Sequence, residues 1–180
     1  MNMWTGLLFL GGFIATPAAL AAVTGESEPA STSPKEVVRY FLDEVRSGKS
    51  PERSSQYLAP EVLAHQLNSE NETTVSRNPE DYAAHVKDFQ RIYGDYDFEV
   101  TELLADGDKV YARWKQTGCH IGPDGSTAPS GLPVIEIASA VYRVKDGKIV
   151  EYWIQIDRKG IDTQFEVNAK NIDRKIRCVR

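Results

Sequence analysis

The sequence predicts an α+β fold, with N-terminal helices covering one face of an antiparallel sheet that curls around them. Three observations carry this. Apolar residues recur at helical spacing in two early stretches, around residues 37–45 and 82–92. From Tyr96 onward the period changes to two, with Tyr96, Phe98 and Val100 alternating against Asp97, Glu99 and Thr101. Two Asp-Gly pairs, Asp106-Gly107 and Asp146-Gly147, mark hairpin turns between apolar runs. Helices first and strands afterwards is the α+β order.

Taken in order, Ser33-Pro34-Lys35-Glu36 reads as a capping box with Pro at the first helical position. The helix it opens presents Val37, Val38, Phe41, Leu42 and Val45 on one stripe and stops at Gly48. A short second helix is expected from Pro51 to Leu58. Residues 66–78 are polar and read as a loop. Asn78 then caps a helix with Pro79 at N1, Glu80 and Asp81 in its first turn, and Tyr82, Val86, Phe89 and Ile92 on its apolar face. Three strands are expected at Lys109–His120, Val134–Val144 and Ile149–Asp157, forming a meander.

Composition narrows the class. Across 180 residues, 41% are hydrophobic and 26% charged, which suits an ordinary globular domain. The formal charge of -5 gives no footprint for nucleic acid. That charge is unevenly spread: no charged side chain precedes Glu26, residues 26–167 carry -9, and residues 168–180 carry +4.

The neutral start holds an apolar run, Leu7 to Ala15, then Pro17 and the small-residue segment Ala18 to Ala22. Ala19-Leu20-Ala21 fits a signal-peptidase site, so residues 1–21 are expected to be an export signal and 22–33 a linker. The n-region lacks Lys and Arg, and an uncleaved anchor is the rival reading. The expected domain spans 34–167, followed by a basic tail at 168–180. Cys119 falls in a strand-like stretch and Cys178 in the tail, so two separate thiols are expected.

Parity sorts the strand faces. Val110, Ala112, Trp114, Gln116 and His120 share one face; Trp153, Gln155 and Asp157 share a face of the last strand, opposite Tyr152, Ile154 and Ile156. The faces carrying Trp114, Gln116, Trp153 and Gln155 are expected to wall one small-molecule pocket. A carboxylate there, Asp157, would suit proton transfer; it could equally cap the next turn. His120 could be a loop residue, His65 a hydrogen-bonded core histidine and His85 a packing residue. Zinc, nucleotide and serine-nucleophile spacings are absent from the sequence.

Several segments share an order and spacing with a known family. These are Val38 to Val45 with Gly48, Leu58-Ala59-Pro60-Glu61-Val62 with His65, and Ala105 to Val110 with Ala112-Arg113-Trp114. Gly118-Cys119-His120-Ile121-Gly122, and Tyr142 to Trp153 with Asp157, Gly160 and Gln164, complete the set. From about Glu36 to Glu166 the chain resembles the SnoaL-like polyketide (ester) cyclases of the nuclear-transport-factor-2-like superfamily. The resemblance implies a cone-shaped α+β barrel, and a homodimer paired through an outer sheet face that would include Tyr152, Ile154 and Ile156. It also implies ring closure without metal or organic cofactor, on a small apolar carbonyl-containing ligand. Asp157 matches the family's acid/base, His120 its strand-end histidine and His65 its pocket histidine. The segment Asp124 to Ser130 departs from the family pattern and alters the expected pocket lip. A hydrolase use of the same cone would need an arginine and a second carboxylate in the cavity; Arg113 has the wrong parity and no partner acid is evident. A non-catalytic binding module is the alternative reading.

Overall fold

The computed structural model describes residues 32–171 and Cys178. The expected export signal, and most of the linker and tail, lie outside the described residues. Ser33 caps α1 (Pro34–Tyr40): its side chain accepts from the Glu36 N–H and the Glu36 carboxylate accepts from the Ser33 N–H. The helix then widens into a π turn, Phe41–Arg46, closed by the Ser47 N–H donating to Leu42 O. This widening turns two consecutive residues, Val45 and Arg46, into the interior. After a 3-10 segment (Pro51–Gln56) the chain runs through β1 (Leu58–Gln66), β2 (Thr73–Arg77) and α2 (Pro79–Tyr93). It continues through β3 (Asp97–Asp106), β4 (Lys109–Cys119), β5 (Pro133–Lys145), β6 (Lys148–Ile156) and α3 (Arg158–Ala169).

The six strands form one open, curved sheet in the order β2-β1-β6-β5-β4-β3. From β3 to β6 it is the expected antiparallel meander, with Asp146 and Gly147 both at positive φ in the last hairpin, as a type I′ turn requires. Two expectations are corrected. The short helix expected from Pro51 to Leu58 is a 3-10 segment that ends at Gln56, and Leu58–Gln66, where no strand was expected, pairs in parallel with β6. Thr73–Arg77, read as loop for its polarity, forms the edge strand beside it. An edge strand with both faces wet has no apolar alternation to betray it.

The core lies between the helices and one sheet face. Phe41, Leu42, Val45, Tyr82 and Val86 pack on Val110, Ala112, Trp114, Ala138, Ala140, Tyr142 and Tyr152. Alanines at 112, 138 and 140 leave room for the larger rings opposite. The buried side of β6 is therefore the Tyr152 side: Tyr152 is 5% exposed, and Ile154 and Ile156 pack on the core. The outer pairing face expected to include those three residues is corrected accordingly.

At the far end of the sheet α2 crosses β4 closely. A Cβ on Gly118 would stand 2.7 Å from Tyr93 Cβ, and one on Gly122 would collide with the Arg91 carbonyl. The same corner carries the Cys119–Cys178 disulfide, with Cα atoms 5.9 Å apart. The expectation of two separate thiols is thus corrected: the tail cysteine returns to the end of β4.

Candidate active site

A concavity of about 840 Å³ opens between α2, α3 and the inner sheet face. Phe89, Ile92 and Tyr93 of α2, Ile156 of β6, and Ile161 and Phe165 of α3 supply its apolar walls. Its polar lining includes His85, Asp88, Asp124, Glu136, Arg158 and Asp162. An apolar-walled hollow with few converging polar groups is the expected form of a small-molecule site.

Its floor is a buried polar network. Arg46, delivered inward by the π turn, is 3% exposed; its Nη1 donates to Gln116 Oε1 at 2.7 Å and its Nη2 to Glu136 Oε1 at 2.8 Å. Trp114 Nε1 donates to the same Glu136 oxygen at 3.2 Å. Phe89, Phe98 and Trp114 present ring faces to the guanidinium, with centroids 4.9, 5.6 and 5.5 Å from its carbon. Burial works against the charge on Arg46, but Glu136 beside it holds the guanidinium protonated and above its ordinary pKa. One carboxylate oxygen of Glu136 is thereby tied down. The residue also lines the cavity, and its Oε2 bonds to no described residue.

Around this floor stand three further groups. Burial, assisted by the charges of Arg77 and Arg46, depresses the pKa of His85 to about 4, so its imidazole is neutral at pH 7. Tyr93 donates to Asp124 Oδ2, and burial together with that bond and the Asp124 and Glu136 charges pushes its pKa up. His120 is fully buried between Tyr93 and Phe165, with ring centroids 6.1 and 4.7 Å away, and burial lowers its pKa. Its Nδ1 is 3.5 Å from Ser130 Oγ and its Nε2 has no partner among the described residues.

The expected site residues are only partly brought together. Trp114 and Gln116 are on the inner face but are buried and do not line the cavity; they reach it only through their bonds to Glu136 and Arg46, and His120 is buried behind Tyr93 and Phe165. Trp153 and Gln155 face the other way. Trp153 stacks on His65 on the outer sheet face at 5.1 Å and 11°, and Gln155 is exposed. His65 is held there, with Nδ1 2.7 Å from Thr74 Oγ1 and Nε2 2.8 Å from Glu151 Oε1. Asp157 is exposed and caps α3, accepting from the Gly160 N–H at 2.8 Å. The alternation along β6 was read correctly and its two faces were exchanged.

Two cavity residues, Glu136 and His85, and the buried Arg46 beneath them were missed. Glu136 sits at an inward position of β5, between Val134 and Ala138, so parity alone could have found it. His85 was read as packing; it both packs on Phe89, at 4.9 Å, and lines the cavity. Arg46 follows the predicted apolar stripe and only the π turn carries it inward, a feature with no sequence signal here. Arg46 and Glu136 also supply the buried arginine–acid pair that sequence reading found lacking. Among the described residues, no group of three or more His, Cys, Asp or Glu is placed to hold a metal ion.

The SnoaL-like polyketide cyclase family profile matches residues 36–165. No curated protein matches the chain. Among solved structures, a proposed polyketide cyclase from Acidithiobacillus ferrooxidans superposes with a TM-score of 0.66 at 24% identity, covering 76% of this chain and 97% of its own. IdmH, a proposed polyketide cyclase from Streptomyces antibioticus, gives 0.62 at 23%, covering 74% and 99%. An epoxide hydrolase from Mycobacterium tuberculosis, of the LEH-like type, gives 0.57 at 16%, covering 81% and 98%. At these identities the likeness establishes the α+β fold alone. The profile spans most of the described domain, and it supports a cyclase- or isomerase-type role: the chain belongs to the SnoaL-like polyketide cyclase family.

Proposed function

We propose that the protein is a cofactor-independent acid–base enzyme that isomerises or cyclises a small carbonyl compound in this cavity, with Glu136 moving the proton. The observation that carries the proposal is the split environment of Glu136: Oε1 is fixed by Arg46 and Trp114, while the residue lines the cavity and Oε2 bonds to no described residue. Oε2 takes a proton from the carbon beside a carbonyl, and the electron pair moves onto the carbonyl oxygen. Neutral His85 on the cavity wall supplies an N–H to that oxygen. In a cyclisation the enolate carbon attacks a second carbonyl of the same molecule, and Glu136 returns the proton to the new alkoxide. No atom is gained or lost. The apolar walls suit a largely hydrophobic substrate body.

Asp157, the position matching the family's acid/base, is turned onto the α3 amide. That placement favours one second reading, a binding module with the same cavity and no chemistry. Mass spectrometry of ligand co-purified with the protein, followed by incubation of that ligand in deuterium oxide, separates the two. The enzyme incorporates deuterium beside the carbonyl; a binding module returns the ligand unlabelled.

Export and homodimer formation belong to the same proposal. The Cys119–Cys178 bond supports an oxidising compartment. Exposed Leu63, Leu104 and Ile137 support pairing through the outer sheet face.

A further inference from the structure

We propose that α3 is a lid over the cavity, and that the Cys119–Cys178 bond restrains its opening. The inference rests on the cavity being the working site and adds a means of controlling access to it. Five α3 residues, Arg158, Lys159, Ile161, Asp162 and Phe165, form one side of the cavity, yet no residue of α3 is buried. The helix is held by polar clips. Gln164 brackets the Ile135 backbone, accepting from its N–H and donating to its carbonyl, both at 2.8 Å. Asn168 donates to the Pro133 carbonyl at 3.1 Å, and Arg158 pairs with Glu70. Exchange of such clips with water is far easier than extraction of a buried apolar stripe.

The disulfide lands on the same corner. Cys119 is the strand partner of Pro133, and the Cys178 N–H donates to Gly131 O at 3.4 Å. The chain beyond α3 is therefore fastened beside the clips of α3 itself. Beneath the lid, Phe165 covers the His120 imidazole, whose Nε2 finds no partner among the described residues while α3 is down. Lifting α3 would give that nitrogen water or a ligand, which opposes the closed state. Reduction by a dithiol breaks the S–S bond. Two electrons and two protons pass to the cysteines, giving two thiols, and the reductant becomes its own disulfide.

The chain has three histidines, which makes imidazole acylation by diethyl pyrocarbonate a direct reporter. Labelling of His120 and His65 is followed by peptide mass spectrometry in the oxidised full-length protein, the dithiol-reduced protein and the Cys178→Ser variant. The lid predicts His120 labelling at least tenfold faster in the last two forms, with the outer-face His65 unchanged. Gln164→Ala in the oxidised protein should also accelerate His120, without touching the disulfide. Equal His120 rates in oxidised and reduced protein would overturn the proposal. So would His65 accelerating in parallel, because that reports general loosening. Labelling needs no turnover, so failure here leaves the acid–base reading standing, and failure of that reading leaves these rates unaffected.

Discussion

Arg46 is buried in a box of three aromatic rings, and its charge is matched by Glu136 and satisfied further by Gln116. Removing one partner of such a pair strands the other. Arg46→Met should therefore destabilise by about 3–5 kcal/mol, while the double change with Glu136→Leu should recover much of that loss. Urea unfolding of the two variants checks it. His85 sets a pH dependence. Its pKa of about 4 lies below its unfolded value near 6.5, so the unfolded chain binds more protons between those pH values. Stability from this group is complete above pH 6.5 and is lost as pH falls toward 4, by at most about 3 kcal/mol. His85→Phe, compared with wild type across that window, should flatten the slope.

Among the elements, helix caps, hairpin turns and the meander were legible because they are written in local spacing: the box from Ser33 to Glu36, the cap at Asn78, and Asp146-Gly147. The faces of β6 were not. Alternation states which residues lie together; only the packing partner decides which side is wet, and Tyr152 found the helices while Trp153 found His65. Half of the expected pocket wall was displaced for that reason. The site residues that remained illegible depend on long-range placement: Arg46 meets Glu136 across ninety positions of sequence. No helix was expected after the last strand, and Asp157 was read as a catalytic candidate or a turn cap; in the fold it is the N-cap of α3. Asp157→Ala should weaken α3 by about 1 kcal/mol, a typical cap value. Hydrogen exchange would show faster exchange in residues 158–169 and little change in β4 or β5.

At the scale of the whole molecule, the disulfide spans a sequence separation of 59, tying β5, β6 and α3 into one covalent loop. Chain-entropy reasoning assigns such a closure about 4 kcal/mol against the unfolded state. Thermal unfolding of Cys178→Ser should show a clearly lowered midpoint. Charge follows the same large-scale logic. The -9 body and +4 tail are separate in sequence, and the disulfide brings the tail cysteine back to the end of the sheet.

The central claim is that a carboxylate on the cavity floor, fixed by Arg46 and Trp114, moves the proton. Solvent-deuterium incorporation into the co-purified ligand tests it most directly, measured for wild type, Glu136→Gln and Asp157→Asn. Glu136→Gln should lose about 10²–10⁴-fold, the range of a positioned general base, and Asp157→Asn less than about threefold. Full incorporation by Glu136→Gln, or the large loss appearing at Asp157 instead, would contradict it.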